Sequence, residues 1–188
     1  GSDSMVWPHA YDKRASTKTT TDPDGKISSF DYDAYGRLIR ATDRVGGITQ
    51  YAWDTRGNLL AVQDGKGHLT RFAYNKRNQR IGETRPLGQA LIYAYDDNGR
   101  VLQITQPNGA HHRFTYDDAG RPTRKDSYVS GSTLEISTTF TWDAKGRLTA
   151  WSSTDASRPT DPAATVSAVI TWDDNDQKTG ETLHYGPV

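Results

Sequence analysis

Seven aspartates, Asp12, Asp33, Asp54, Asp96, Asp117, Asp143 and Asp173, each follow an aromatic residue, and carboxylates in such number could ligate a metal or move protons. Acid–base chemistry needs two carboxyl groups in unlike environments, one kept protonated while the other stays charged. These seven stand at equivalent places in a repeated phrase, at the turn position where an Asp side chain accepts hydrogen bonds from its own downstream backbone. A structural role is therefore expected of them. Arg37, Arg100, Arg121 and Arg147 follow a turn glycine at a constant offset, and a ladder of Arg and Asp along neighbouring turns is the expected pairing. His111-His112 invites a metal hypothesis, yet adjacent residues of an extended chain point to opposite faces, and the chain has no cysteine to complete a set. Neither a Ser-His-Asp order nor a phosphate-cradling glycine motif has the strand-turn-helix context it requires. No catalytic, cofactor-binding or metal-ligating residue is expected, and no enzyme.

The elements that position these residues follow from the period. The phrase runs Tyr32-Asp33-Ala34-Tyr35-Gly36-Arg37, Trp53-Asp54-Thr55-Arg56-Gly57-Asn58, Tyr95-Asp96-Asp97-Asn98-Gly99-Arg100 and Tyr116-Asp117-Asp118-Ala119-Gly120-Arg121. Its leading aromatics at 11, 32, 53, 74, 95 and 116 are spaced by 21 residues; Tyr74 heads a degenerate copy, Asn75-Lys76-Arg77-Asn78. Trp142-Asp143-Ala144-Lys145-Gly146-Arg147 follows after 26 residues and Trp172-Asp173 after 30, which makes eight copies, the first led by Tyr11. A second turn lies half a unit later, as in Asp22-Pro23-Asp24-Gly25, Asp43 to Gly46, Asp64 to Gly67, Arg85-Pro86-Leu87-Gly88 and Gln106-Pro107-Asn108-Gly109. Turns so closely spaced leave room for strands and too little for typical helices.

Alternation supports strands. Phe30, Tyr51, Phe72, Tyr93, Phe114, Phe140 and Ile170 stand two residues before each lead aromatic and share its face, and Ile39 with Ala41, Leu60 with Val62 and Leu102 with Ile104 repeat the spacing on the return. The opposite face is polar, as at Gln50 and Arg71. The fold class expected is all-β: tandem 21-residue hairpin repeats forming a continuous, curved antiparallel sheet whose aromatic rows are its buried face.

Composition agrees. Apolar residues are 34% of the 188, too few for a thick multilayer core, while ten Tyr, five Trp and four Phe can pack one face of a sheet. With 23 basic and 23 acidic residues the chain lacks the basic footprint of a nucleic-acid binder, and no run reaches the ~18 apolar residues of a membrane span. Residues 1–5 read as the remnant of an expression tag, and 6–188 as the array. The longer steps are expected to hold a longer hairpin tip around Ser127 to Ser132 and a loop over Ser152 to Pro162. The outer strands, near Val6 and after Thr171, are expected to leave open edges.

Tyr-Asp-x-x-Gly-Arg with an aliphatic next, most complete at Tyr32 to Leu38 and Tyr95 to Val101, plus the half-unit turn seen at Asp22 to Gly25, resembles the YD repeat of the Rhs family. That family includes bacterial Rhs polymorphic toxins, toxin-complex shell proteins and the animal teneurins. The resemblance implies a β-sheet ribbon that spirals into a hollow shell, enclosing a toxic C-terminal domain in the bacterial members, and an exported bacterial protein. Eight hairpins can supply only part of such a wall, so an excised piece or a small orphan array is implied. Self-cleavage of the family kind is not expected at Asp22-Pro23-Asp24-Gly25, which stands where a half-unit turn should. The structural repeat residues are Tyr32, Asp33, Gly36, Arg37, Trp53, Asp54, Gly57, Tyr74, Tyr95, Asp96, Gly99, Arg100, Tyr116, Asp117, Gly120, Arg121, Trp142, Asp143, Gly146 and Arg147. Expected partners are further repeats of the parent shell or a second copy through open edges, and a protein cargo. The alternative is a glycan- or protein-binding module that uses the aromatic face or the 152–162 loop.

Overall fold

A computed structural model describes residues 16–186. The tag, the Tyr11 copy and the strand expected near Val6 lie outside the described residues. The rest is all-β: fifteen strands, consecutive in sequence and antiparallel, in one sheet. They are β1 (Ser16–Thr21), β2 (Ile27–Tyr32), β3 (Leu38–Thr42), β4 (Ile48–Trp53), β5 (Leu59–Gln63), β6 (Leu69–Tyr74), β7 (Arg80–Thr84), β8 (Ala90–Tyr95), β9 (Val101–Thr105), β10 (His111–Tyr116), β11 (Pro122–Val129), β12 (Thr133–Trp142), β13 (Leu148–Asp155), β14 (Thr165–Trp172) and β15 (Lys178–Tyr185). The chain divides into two compact units, 1–90 and 91–188.

Every lead aromatic from Tyr32 to Trp172 is the last residue of its strand, and the acid after it opens the turn. The turn closes as local sterics demand. Asp33 N–H donates to the Arg37 carbonyl at 2.9 Å and Gly36 N–H to the Asp33 carbonyl at 3.0 Å, with Gly36 at φ 77°. That left-handed corner favours glycine, and Asn78 (φ 61°) and Asp176 (φ 62°), of the types that tolerate it best, hold it in the two described copies without one. A register shift falls directly before each lead aromatic, so one residue of the return strand is left over. The alternation expected of Ile39 with Ala41 and its equivalents is broken there: the extra residue turns toward the non-aromatic face. Thr123 accordingly meets Thr115 hydroxyl to hydroxyl at 3.0 Å, and Leu102 is 40% exposed.

The half-unit turn at Arg85 to Gly88 departs from the pattern, because Leu87 (φ 74°) joins Gly88 (φ 77°) in the left-handed region while 97% exposed. A bulky side chain there costs about 1–2 kcal/mol and gains nothing from burial. Leu87→Asn is expected to raise the melting temperature by about 1–4 °C, measured by calorimetry; a decrease would show that Leu87 makes a stabilising contact.

Burial corrects the expectation for the aromatic face. The rows are half-buried, and the closed apolar positions among the described residues are alanines. In the first unit Ala52 (7% exposed) pairs across β4 and β5 with Ala61 (0%), on the face opposite Tyr51 and Trp53, and Ala61 is flanked in register by Arg71. A single layer has no second sheet to cover large rings, whereas neighbouring side chains suffice to cover a methyl group. In the second unit Ala168 (1%) lies between Trp151 and Leu183 in register.

The longer steps also differ from expectation. Ser152–Asp155 is not loop but the end of β13, and Pro162–Ala164 is one 3-10 turn. Only 156–161 remains irregular, tied by Arg158 to Asp161 and by Ala156 N–H to the Glu135 carbonyl at 2.7 Å. Likewise β11 continues through the first half of the expected tip, to Val129, and β12 begins at Thr133, which leaves Ser130 to Ser132 as the turn. The inserted residues lengthen strands to 8 or 10 residues instead of projecting.

Candidate functional site

Four of the repeated turns carry the same clasp. In the Tyr32 copy, Asp33 Oδ1 accepts the N–H groups of Tyr35 and Arg37, each at 2.9 Å, which holds the carboxylate under the corner. Its Oδ2 accepts Arg37 Nε at 2.7 Å, and the far end of that guanidinium, Nη1, donates to the main-chain carbonyl of Asp54 in the next copy at 2.6 Å. The next copy reciprocates: Trp53 Nε1–H donates to the Leu38 carbonyl at 2.8 Å. Arg37 also lies 5.8 Å from the Trp53 ring centroid, within cation–π range.

The second unit repeats the clasp. Arg100 Nη1 donates to the Asp117 carbonyl at 3.0 Å, Arg121 Nη1 to Asp143 at 2.8 Å and Arg147 Nη1 to Asp173 at 2.9 Å. In return Tyr116 O–H donates to the Val101 carbonyl at 2.8 Å, Trp142 Nε1–H to Pro122 at 2.7 Å and Trp172 Nε1–H to Leu148 at 2.8 Å. These four copies thus hold the next copy at two points, both on backbone carbonyls. The Arg and Asp side chains concerned are only 17–30% exposed, so the pairs are shielded more than ordinary surface ion pairs.

The electrostatics follow from these bonds. The Arg121 backbone N–H, ahead of its guanidinium, holds the Asp117 carboxyl below the usual carboxylate range despite partial desolvation, and Arg147 does the same for Asp143. At Asp33 and Asp96 desolvation is the largest influence and pushes upward, but the bonds from Arg37 and Arg100 outweigh it. Carboxylates kept ionised in equivalent bonded seats have the character of anchors.

Three described copies depart from the clasp in side-chain identity, the Trp172 copy by carrying Gln177 in the arginine position, its N–H donating to Asp173 Oδ1 at 2.9 Å. In the Trp53 copy Asn58 stands where arginine would, its Nδ2 donating to Asp54 Oδ2 at 2.7 Å and to Asn78 Oδ1 at 3.0 Å. In the Tyr74 copy Asn75 takes the aspartate's place, Oδ1 accepting the Arg77 and Gln79 N–H groups at 2.9 and 3.0 Å. Tyr74 is half-buried, and desolvation raises its hydroxyl pKa. Tyr95 ends β8, with Asp96 and Gly99 (φ 86°) in the turn that follows. Gly57, Gly120 and Gly146 hold the same corner in their copies at φ 88°, 82° and 83°. The carbonyl acceptors went unseen in sequence reasoning, since every residue carries one; the constant offset from Arg to the next turn was the available signal.

The His111-His112 pair is divided between the faces. His111, 6% exposed, stacks on Tyr128 at 4.6 Å, while His112 Nδ1 meets the Ser127 hydroxyl at 3.0 Å on the other side. Among the described residues no group of three or more His, Cys, Asp or Glu converges as a metal site requires, and no helix is long and apolar enough to cross a membrane.

A fork that bonds a carboxylate with one nitrogen and a distant carbonyl with another is a task for guanidinium, which an ammonium cannot reproduce. Arg121→Lys is expected to cost roughly 1 kcal/mol, lowering the melting temperature by about 2–4 °C; an unchanged melting temperature would mean the far contact contributes nothing.

The fold and its clasps define a class: a structural array of hairpin repeats, with corner-to-corner bonds between most successive copies. A family model described as teneurin YD-shell matches residues 18–117, and one described as RHS repeat matches 116–160. The chain belongs to the teneurin YD-shell family, as a structural β-shell segment. Among solved structures it is similar to a mutant Tc holotoxin pore of Photorhabdus luminescens, at TM-score 0.69 and 17% identity over 87% of this chain and 9% of that one. It is also similar to the TcdB2–TccC3 complex, at TM-score 0.67 and 15% identity over 92% of this chain and 11% of that one, and with the same TM-score and identity to that complex with Cdc42, over 91% and 11%. The chain thus spans about a tenth of the length of the structures it matches. No curated protein matches it.

Proposed function

We propose that this chain is a length of wall in an exported bacterial β-shell, non-enzymatic, whose task is to enclose or present another polypeptide. The observation that carries this reading is the two-point clasp repeated at four corners, which lets the sheet lengthen copy by copy while those corners stay bound to the next. The likeness to Tc toxin structures supports it at the level of fold and supports export as the setting. The repeat residues from Tyr32 to Arg147 act as fasteners, and the wall's partners are further repeats and the enclosed protein. A carbohydrate platform gains no support: the polar ends of Trp53, Tyr116, Trp142 and Trp172 are bound to the preceding unit.

The test is protection. In the natural protein that carries these repeats, any polypeptide held by the shell is expected to resist protease until the shell is opened by denaturant. Cleavage at the rate of the free polypeptide, with the repeats still folded, would contradict enclosure.

A further inference from the structure

The clasp lacks its arginine in the Trp53 copy, and a cleft opens there. Between the turns that begin at Asp54 and Asn75 lies an open cavity of about 190 Å³, lined by Asp54, Thr55, Arg56, Asn58, Tyr74 and Lys76 among others. The three features that receive the arginine fork in other copies are all present: the Asp54 carboxylate, the Asn75 carbonyl in the place of Asp117 or Asp143, and the Tyr74 ring. Only the donor differs: Asn58 Nδ2 reaches the next turn at the Asn78 side chain, at 3.0 Å, where arginine would bond the main-chain carbonyl.

We propose that this cleft is a binding site for the guanidinium group of an arginine supplied by another polypeptide. The same molecule shows the bound state four times, at Arg37, Arg100, Arg121 and Arg147, each bonded to its own carboxylate and to the next turn's carbonyl. Asn58 Nδ2 takes one bond of Asp54 Oδ2, and a carboxylate oxygen has a second lone pair to offer. Arg56, whose Nη1 donates to the Lys76 carbonyl at 3.2 Å, and Lys76 stand at the rim and oppose any cation alike, so the weakly hydrated, planar guanidinium, which loses less hydration on entry, is favoured over an ammonium. A precedent exists in the Trp142 copy, where Lys145 and Arg147 share Asp176 at 3.3 and 2.7 Å.

The experiment is an NMR titration of this chain with methylguanidinium and with N-acetyl-arginine methylamide, against N-acetyl-lysine methylamide at equal ionic strength. Both guanidinium probes are expected to shift the Asn58 side-chain amide and Tyr74 ring signals saturably, with dissociation constants on the order of millimolar, and the lysine probe is not. Asn58→Arg, which fills the cleft from within, is expected to weaken both by about tenfold or more. Non-saturable shifts, equal response to the lysine probe, or undiminished binding to Asn58→Arg would overturn the proposal. So would binding of methylguanidinium alone, since it would exclude an arginine side chain. Tyr74→Leu gives a second arm with the same expected weakening. None of these outcomes bears on whether the natural protein encloses a cargo.

Discussion

Trp142→Ala is expected to destabilise the chain by about 3 kcal/mol, a fall in melting temperature of about 6–12 °C. Three losses coincide at this residue. The largest side chain of β12's aromatic face disappears, the Pro122 carbonyl loses its 2.7 Å donor, and the ring adjoining the Arg121 clasp is removed. Trp142→Phe separates the contributions: it keeps most of the ring and deletes the N–H, for about 1 kcal/mol. Calorimetry on both variants measures the ratio. Equal losses would mean the indole hydrogen bond, not ring packing, fastens the unit; negligible loss in both would remove the aromatic from the clasp altogether.

The second large effect is collective and appears in acid. Asp33, Asp54, Asp64, Asp96, Asp117, Asp143, Asp155 and Asp161 all sit below the ordinary carboxylate value of 3.8 in the folded chain. A folded pKa below the unfolded one means the unfolded chain binds protons more readily, so stability is fully present above the unfolded value and is lost as pH falls through the folded ones. His112 acts in the same direction, since burial, then Lys125 and His111, hold its pKa down and folding favours its neutral form. Stability is therefore expected to be nearly flat from pH 7 to about 6, to decline slightly below the usual His range, and to drop steeply below about pH 4. Urea unfolding at stepped pH measures this. Asp117→Asn should weaken the chain at pH 7 yet flatten the acid limb; an acid limb of unchanged steepness would mean the turn carboxylates do not drive it.

Much of this architecture was legible because turn chemistry is written in residue types. A left-handed corner admits glycine most readily and asparagine or aspartate next, so the phrase marks its own geometry even at Asn78 and Asp176. The 21-residue period then requires hairpins. The clasp was half legible: Arg and Asp at fixed offset suggested a ladder, but the carbonyls that receive Arg37 Nη1 and Trp53 Nε1 have no signature in sequence. The stretch from Ser152 to Asp155 misled for a related reason. Serine and threonine read as loop when isolated, whereas here they pair across strands, Thr138 with Ser153 at 3.0 Å and Thr154 with Thr165 at 3.1 Å, and extend the sheet. The aromatic rows misled in degree, since strong packing within one layer still leaves rings half open.

Cryo-electron microscopy of the natural protein carrying these repeats tests the wall most directly. Density in which hairpins of this kind continue into a closed surface around an enclosed polypeptide, with the Arg–carbonyl clasps running from unit to unit, is the result this account predicts. Repeats standing as an isolated sheet with solvent on both faces, and no polypeptide against them, would contradict it.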